Sequence, residues 1–218
     1  MEHLDVNPAK MDLPFMKPNP NMILRQTPQT VKGSGISLPE EVRREMALRL
    51  DEHNCALHVA LHQYGKHHWL TEGAEAFLSL HHLLEEHIEK TMEHIDSVAE
   101  RVARLGGIPT AHPVTQHEIS YIKCEEEGRY TMRDMLRNDL EHEMIIQQKM
   151  REQIDRALQL KDWGTVEVLE EIVKDREDLA YHLYSVLEDD SLTRGMMHLD
   201  ETGDIIHGRK ADREQRLQ

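Results

Sequence analysis

The sequence predicts an all-α chain, a four-helix bundle with a long crossover between its second and third helices. Two observations carry that prediction. Charged residues make up 31% of the 218 residues and aromatics only 4%, a balance suited to helices rather than to a sandwich or barrel. Four stretches of about 25–33 residues repeat apolar side chains at steps of three, four and seven, the period of a one-sided helix. Glycine and proline fall mostly between those stretches.

Residues 1–36 read as an extended N-terminal tail. Pro8, Pro14, Pro18, Pro20 and Pro28, with Gly33 and Gly35, interrupt regular structure. Ser37 has the chemistry of an N-cap, and Glu40 and Glu41 would follow in the first turn. A first helix is expected over residues 38–70, with Val42, Met46, Leu50, Leu57, Leu61 and Tyr64 along one face. A second, over 75–105, stops at Gly106-Gly107 and Pro109. The connection 106–130 is too long for a hairpin loop, and 117–125 is its candidate short helix. Helices over 130–160 and 165–189 flank a break at Lys161-Asp162-Trp163-Gly164. The domain reading is thus an N-terminal tail 1–36, a bundle 37–190 and a polar C-terminal tail 191–218. Four long helices with a crossover after the second match the ferritin-like topology.

Composition excludes several classes of function. The mean hydropathy is −0.65, and no apolar run approaches the ~18 residues of a membrane span. The N-terminal decapeptide has no apolar segment of the secretory type. With only Cys55 and Cys124, the expectation is a cytoplasmic chain with two reduced thiols. The net charge of −15 argues against a body that binds DNA by its own field.

The second helix carries the candidate chemistry. His81 and Glu85 are spaced i,i+4 near its start, and Asp96 and Glu100 likewise near its end, so each pair shares a helical face. His81 and Asp96 are 15 positions apart, roughly 22 Å along a helix. No single ion spans that distance. If the four residues serve one site, a second, antiparallel copy of the helix must complete it. His68, with Trp69 beside it, lies just upstream. Mixed imidazole and carboxylate donors suit Fe(II) without the thiolate bias of a zinc or cluster site. The alternative is a solvated stripe in which Glu85, Asp96 and Glu100 join Glu89. His67, His82, His87 and His94 flank the region and are expected mostly at the surface, and His58 and His62 form an i,i+4 pair. No histidine has a glutamate three residues before it, which disfavours a di-iron site within one bundle.

The pattern HHW-x3-G, F-x2-LH-x3-E, D-x3-ER-x3-LGG, formed here by His68, Trp69, Gly73, Phe77, His81, Glu85, Asp96, Glu100, Arg101 and Gly106-Gly107, resembles the Dps proteins, mini-ferritins that protect DNA in starved cells. KHHW with EGAE, LGGIPTA, NDL and YHLYSVLEDDSLT resemble the DpsA branch of cyanobacteria and haloarchaea. The likeness spans about residues 40–195.

The resemblance implies a hollow dodecamer built from dimers. It implies ferroxidase sites between subunits, with His68, His81 and Glu85 from one chain and Asp96 and Glu100 from its partner. Fe(II) and hydrogen peroxide, or oxygen, would be the substrates, and Trp69 would handle radicals. Zinc at the same site is the alternative metal. The family uses the region of Asp162, Glu167, Glu170 and Glu171 to line three-fold pores. The rival reading of those charges is complementation of a helix dipole. DNA binding would fall to the tails, where Arg209, Lys210, Arg213 and Arg216 are weakly basic; nucleoid association follows only if they bind. Two departures stand out: one extra residue between the two histidines, within 73–77, and Glu85 where the family often has aspartate.

Overall fold

The structure, a computed structural model, describes residues 23–73 and 77–188, and the backbone of 198–199 and 205–206. Five helices carry it: α1 Glu40–Leu70, α2 Phe77–Arg104, α3 Pro113–Ile119, α4 Met132–Gln159 and α5 Trp163–Leu187. A two-residue antiparallel pairing, β1 His198–Leu199 with β2 Ile205–Ile206, places His198 opposite Ile206. The expected tail had no such pairing.

Contacts along the helices fix their directions. His68 meets His81 at one end of α1 and α2, and Arg43 reaches the Leu105 carbonyl at the other, so the two are antiparallel. Tyr64 meets Glu143 and Arg156 meets Glu45, so α4 runs against α1 and parallel to α2. A chain leaving α2 must therefore travel the length of the bundle, roughly 40 Å for a helix of this size, before α4 can begin. That is the physical reason for the long crossover.

The short helix within it is Pro113–Ile119 rather than 117–125. Pro113 occupies the first turn, where its missing N–H costs nothing. The chain then leaves helical geometry at Ser120, whose Oγ accepts from Ile122 N while Ile122 enters the core. The start of α1 also differs: Pro39, not Ser37, is the cap residue, and no side chain caps that end. At α5 the cap is Asp162, which accepts from Thr165 N, so the helix begins at Trp163, two residues earlier than the periodicity suggests.

The interior combines a core of aliphatic residues with buried polar side chains. Leu50, Leu57, Leu84, Leu105, Ile146, Met150, Leu169 and Leu183 are fully enclosed, each contributing roughly 1.5–3 kcal/mol by burial. Residues 23–36 carry no helix or strand, yet they are tied to the bundle. Lys32 N donates to Gly106 O at 2.9 Å, and Arg43 Nη1 donates to Lys32 O at 2.7 Å. Gly106, at φ +91°, is obligatory here, because a Cβ would stand 2.3 Å from the Lys32 carbonyl oxygen. Val31 and Ile36 pack against the core beside it. The two cysteines are free thiols.

Candidate metal centre on the α1–α2 face

The period of α2 separates two faces with opposite fates. Leu80, Leu84, His87, Thr91, His94, Val98 and Arg101 point inward and are buried. Glu85, Met92, Asp96 and Glu100 lie on the exposed side, with His81 half-buried at its edge.

Two of the expected ligands meet directly. The rings of His68 and His81 lie 3.7 Å apart, centroid to centroid, tilted by 40°. Phe77 stacks on His81 at 5.3 Å and holds it from the far side. The Nδ1 atoms of both histidines are shielded and lack a hydrogen-bond partner. Burial, helped by His81 and opposed by Glu85, holds His68 below the usual imidazole range. A neutral ring is the form that binds a metal. Glu85 is exposed and lies 3.3 Å from His82 Nδ1.

The other pair is distant, as the helical rise requires. Asp96 and Glu100 are exposed, and Glu100 accepts from Arg104. Among the described residues, no group of three or more His, Cys, Asp or Glu side chains is placed to hold a metal ion. One chain therefore supplies two histidines and one nearby carboxylate at one place, and two carboxylates elsewhere.

Trp69 is 79% exposed and lies against Gly65 rather than in the core, so packing within its own chain does not account for it. A cavity of about 870 Å³ opens beside it, bordered by His62, His68, Glu85, Glu89 and Cys124. Phe77, Leu78 and Met92 are further large apolar side chains left exposed near this face.

Three histidines depart from the sequence expectation. His67, His87 and His94 are buried, and of the four flanking histidines His82 alone is exposed. His67 Nδ1 lies 2.7 Å from Asp139 and Nε2 lies 3.1 Å from Glu125. Against the cost of burial, these two carboxylates raise its affinity for a proton. Through Glu125, His67 anchors the end of the crossover to α1 and α4. His87 is pushed down to about 3 by burial and by Arg176. His94 is pushed down to about 4 by the same causes, despite Asp175 at 3.2 Å. The signal was present in the sequence: His87, Thr91 and His94 fall in register with Leu84 and Val98.

Asp162 also departs from its expected place at a pore. It is buried beneath Arg101, which donates to it and to Thr165 Oγ1. Gly164 fits there because a Cβ would meet the Arg101 guanidinium at 3.0 Å. Glu167, Glu170 and Glu171 are exposed. Among the described residues no helix is long and apolar enough to cross a membrane.

A four-helix bundle with this crossover is a ferritin-like fold, and the ferritin-like domain family matches residues 48–193. A DNA protection during starvation protein of Halobacterium salinarum is 38% identical over 79% of this chain and 96% of its own length. A nutrient stress-induced DNA-binding protein of Synechococcus sp. is 33% identical over 79% and 97%. Among solved structures, an archaeal Dps homologue from H. salinarum superposes with a TM-score of 0.76 at 35% identity, covering 79% of this chain and 96% of that one. DpsC from Streptomyces coelicolor superposes equally well at 30% identity, covering 78% and 99%. The chain belongs to the Dps family of ferritin-like proteins.

Proposed function

We propose that this chain is the subunit of an iron-oxidising and iron-storing cage. In this reading, two copies pack through their α1–α2 faces with the α2 helices antiparallel. His68, His81 and Glu85 of one copy then face Asp96 and Glu100 of the other. The observation that supports it is the division of donors into two half-sites on one exposed face, each incomplete alone.

The chemistry follows from the donor types. Fe(II) is the substrate. Neutral imidazoles accept it, and carboxylates favour the Fe(III) product. Two Fe(II) ions each give one electron to hydrogen peroxide, and with two protons the peroxide leaves as two waters. Taking both electrons close together avoids release of hydroxyl radical, which is how such a site would protect DNA. Oxygen is a slower oxidant in the same scheme. Fe(III) is stored as mineral in a hollow, dodecameric assembly of these dimers. In this reading Trp69, exposed and next to His68 in the sequence, supplies an electron when a single-electron oxidant escapes. Glu167, Glu170 and Glu171 remain candidates for a cation entry path, without Asp162.

Stopped-flow oxidation of Fe(II) by peroxide tests the site. The double variant His81→Ala, Asp96→Ala should assemble normally and lose the rapid phase. Unchanged kinetics would sink the assignment. Metal analysis of the purified protein separates an iron site from a zinc cage.

A second reading, DNA compaction, draws on the names of the relatives. The net charge of −15 opposes it for the body of the protein. The basic positions of the C-terminal tail lie outside the described residues. Gel shift at low salt with and without both tails decides, since tight binding that survives their removal would contradict a tail-dependent mode.

A further inference from the structure

The centre of the bundle brings one carboxylate, Glu143, and one imidazole, His87, together with the Tyr64 phenol, and a fixed cation sits among them. All four long helices contribute. Glu143 of α4 and Arg176 of α5 are fully buried and 2.7 Å apart. Arg176 Nη2 also donates to Thr91 of α2 at 3.1 Å. Tyr64 of α1 donates to the same Glu143 oxygen that Arg176 engages. The His87 ring stands edge-on to Tyr64, with centroids 5.3 Å apart.

Several donors in this place are unspent. Both ring nitrogens of His87 and the second oxygen of Glu143 are buried without a hydrogen-bond partner. Buried polar atoms are nearly always paired, so such a concentration needs a reason. Ferritin-like di-iron proteins hold their metals in the bundle core, using inward carboxylates and histidines from facing helices. One such carboxylate and one such histidine remain here, Glu143 and His87. The cation is the guanidinium of Arg176.

We propose that Arg176 is a specificity-determining residue: a permanent cation that neutralises Glu143 and denies the bundle interior to divalent metal, leaving ions to the α1–α2 face. A divalent ion entering beside it would set three positive charges together in a medium of low dielectric, where repulsion is strong. At the face, Glu85 has His82 as its near partner, and Lys66 at the border of that cavity is engaged by Glu125. The inference rests on the proposed reading of that face for its consequence, the routing of iron, but not for the exclusion itself.

Cobalt(II), with its visible ligand-field bands, is a suitable probe for the assembled full-length protein. Arg176→Met should bind one more Co(II) per chain than the parent, and adding Glu143→Gln should remove that gain. In the parent background, His87→Leu should leave Co(II) stoichiometry unchanged. A folded Arg176→Met protein with no extra Co(II) would overturn the proposal. So would loss of Co(II) from His87→Leu, which decides the matter even if Arg176→Met fails to fold. His81→Ala probes the face separately: if it leaves Co(II) binding unaltered, the face assignment fails while the exclusion by Arg176 stands.

Discussion

The exposed side of α2 and its buried side use the same residue types to opposite ends. On the buried side, Glu143 has Arg176 and Tyr64 as partners, and its charge is cancelled within the chain. On the exposed side, Glu85 and Asp96 face outward, and His68 and His81 keep shielded nitrogens without protein partners. The first arrangement is closed. The second is open to an ion and to a second copy. What separates the structural carboxylate from the candidate ligands is that its counter-charge is buried with it.

The contrast breaks most readily from the closed side. Removing one partner of a buried ion pair strands the other. Arg176→Met or Glu143→Gln should therefore cost about 3–5 kcal/mol in denaturant unfolding. Asp96→Ala, on the open side, should fall within about 0.5 kcal/mol.

Acid should expose the same asymmetry. Burial drives His53 to about 4, with Lys149 and Arg49 adding to it, while His87 falls to about 3 and His94 to about 4. These rings are neutral when folded but titrate near 6.5 once unfolded. The unfolded chain thus binds more protons below that point, so their stabilisation is complete above pH 6.5 and is lost as pH falls towards 3–4. Unfolding followed against pH should show a decline of a few kcal/mol across that window. His53→Leu should shallow the decline, and an unchanged slope would contradict the assignment. His67, raised by Asp139 and Glu125, works in the other direction. Its contribution is present below 6.5 and fades as pH rises through its higher folded value.

The open side is sharpened by mixing. His81→Ala and Asp96→Ala single variants should each lose at least roughly 10–100-fold in peroxide-driven oxidation, the loss that altering even the partners of metal ligands produces. Co-assembled, they should regain part of the rate, because each mixed dimer keeps one site with both halves intact. Absence of recovery would show that the halves are not shared between copies.

Smaller effects concern the N-terminal end of α5. Asp162→Ala removes a cap worth about 1 kcal/mol and leaves buried Arg101 without its carboxylate, so its total should exceed that value. Glu167→Ala and Glu170→Ala should change stability by no more than about 0.5 kcal/mol. Any slowing of iron uptake that they cause would report on entry rather than folding.

Much of this was legible in the residues. Apolar periodicity placed four helices to within a few positions, and the distance from His81 to Asp96 already meant that one site using both pairs would need a second copy of the helix. The misplaced details share a cause. Asp162 and His87 look, in a linear sequence, like any surface carboxylate or imidazole beside charged neighbours. Nothing local shows that Arg101 lies over Asp162, or that Arg176, nearly ninety positions from His87, approaches the same point in the core. Pro113 set the short helix in the crossover, but its end depends on Ile122 turning into the core.

The sequence by itself determined the helices, their order and the separation of donors along α2, because helical period and rise are local properties of the backbone. Tertiary structure alone decided which histidines are buried, that His68 and His81 meet ring to ring, and that Glu143 is neutralised by Arg176. Those outcomes depend on contacts between distant segments, where the dielectric and the counter-charge at each group are set by whatever the other helices bring.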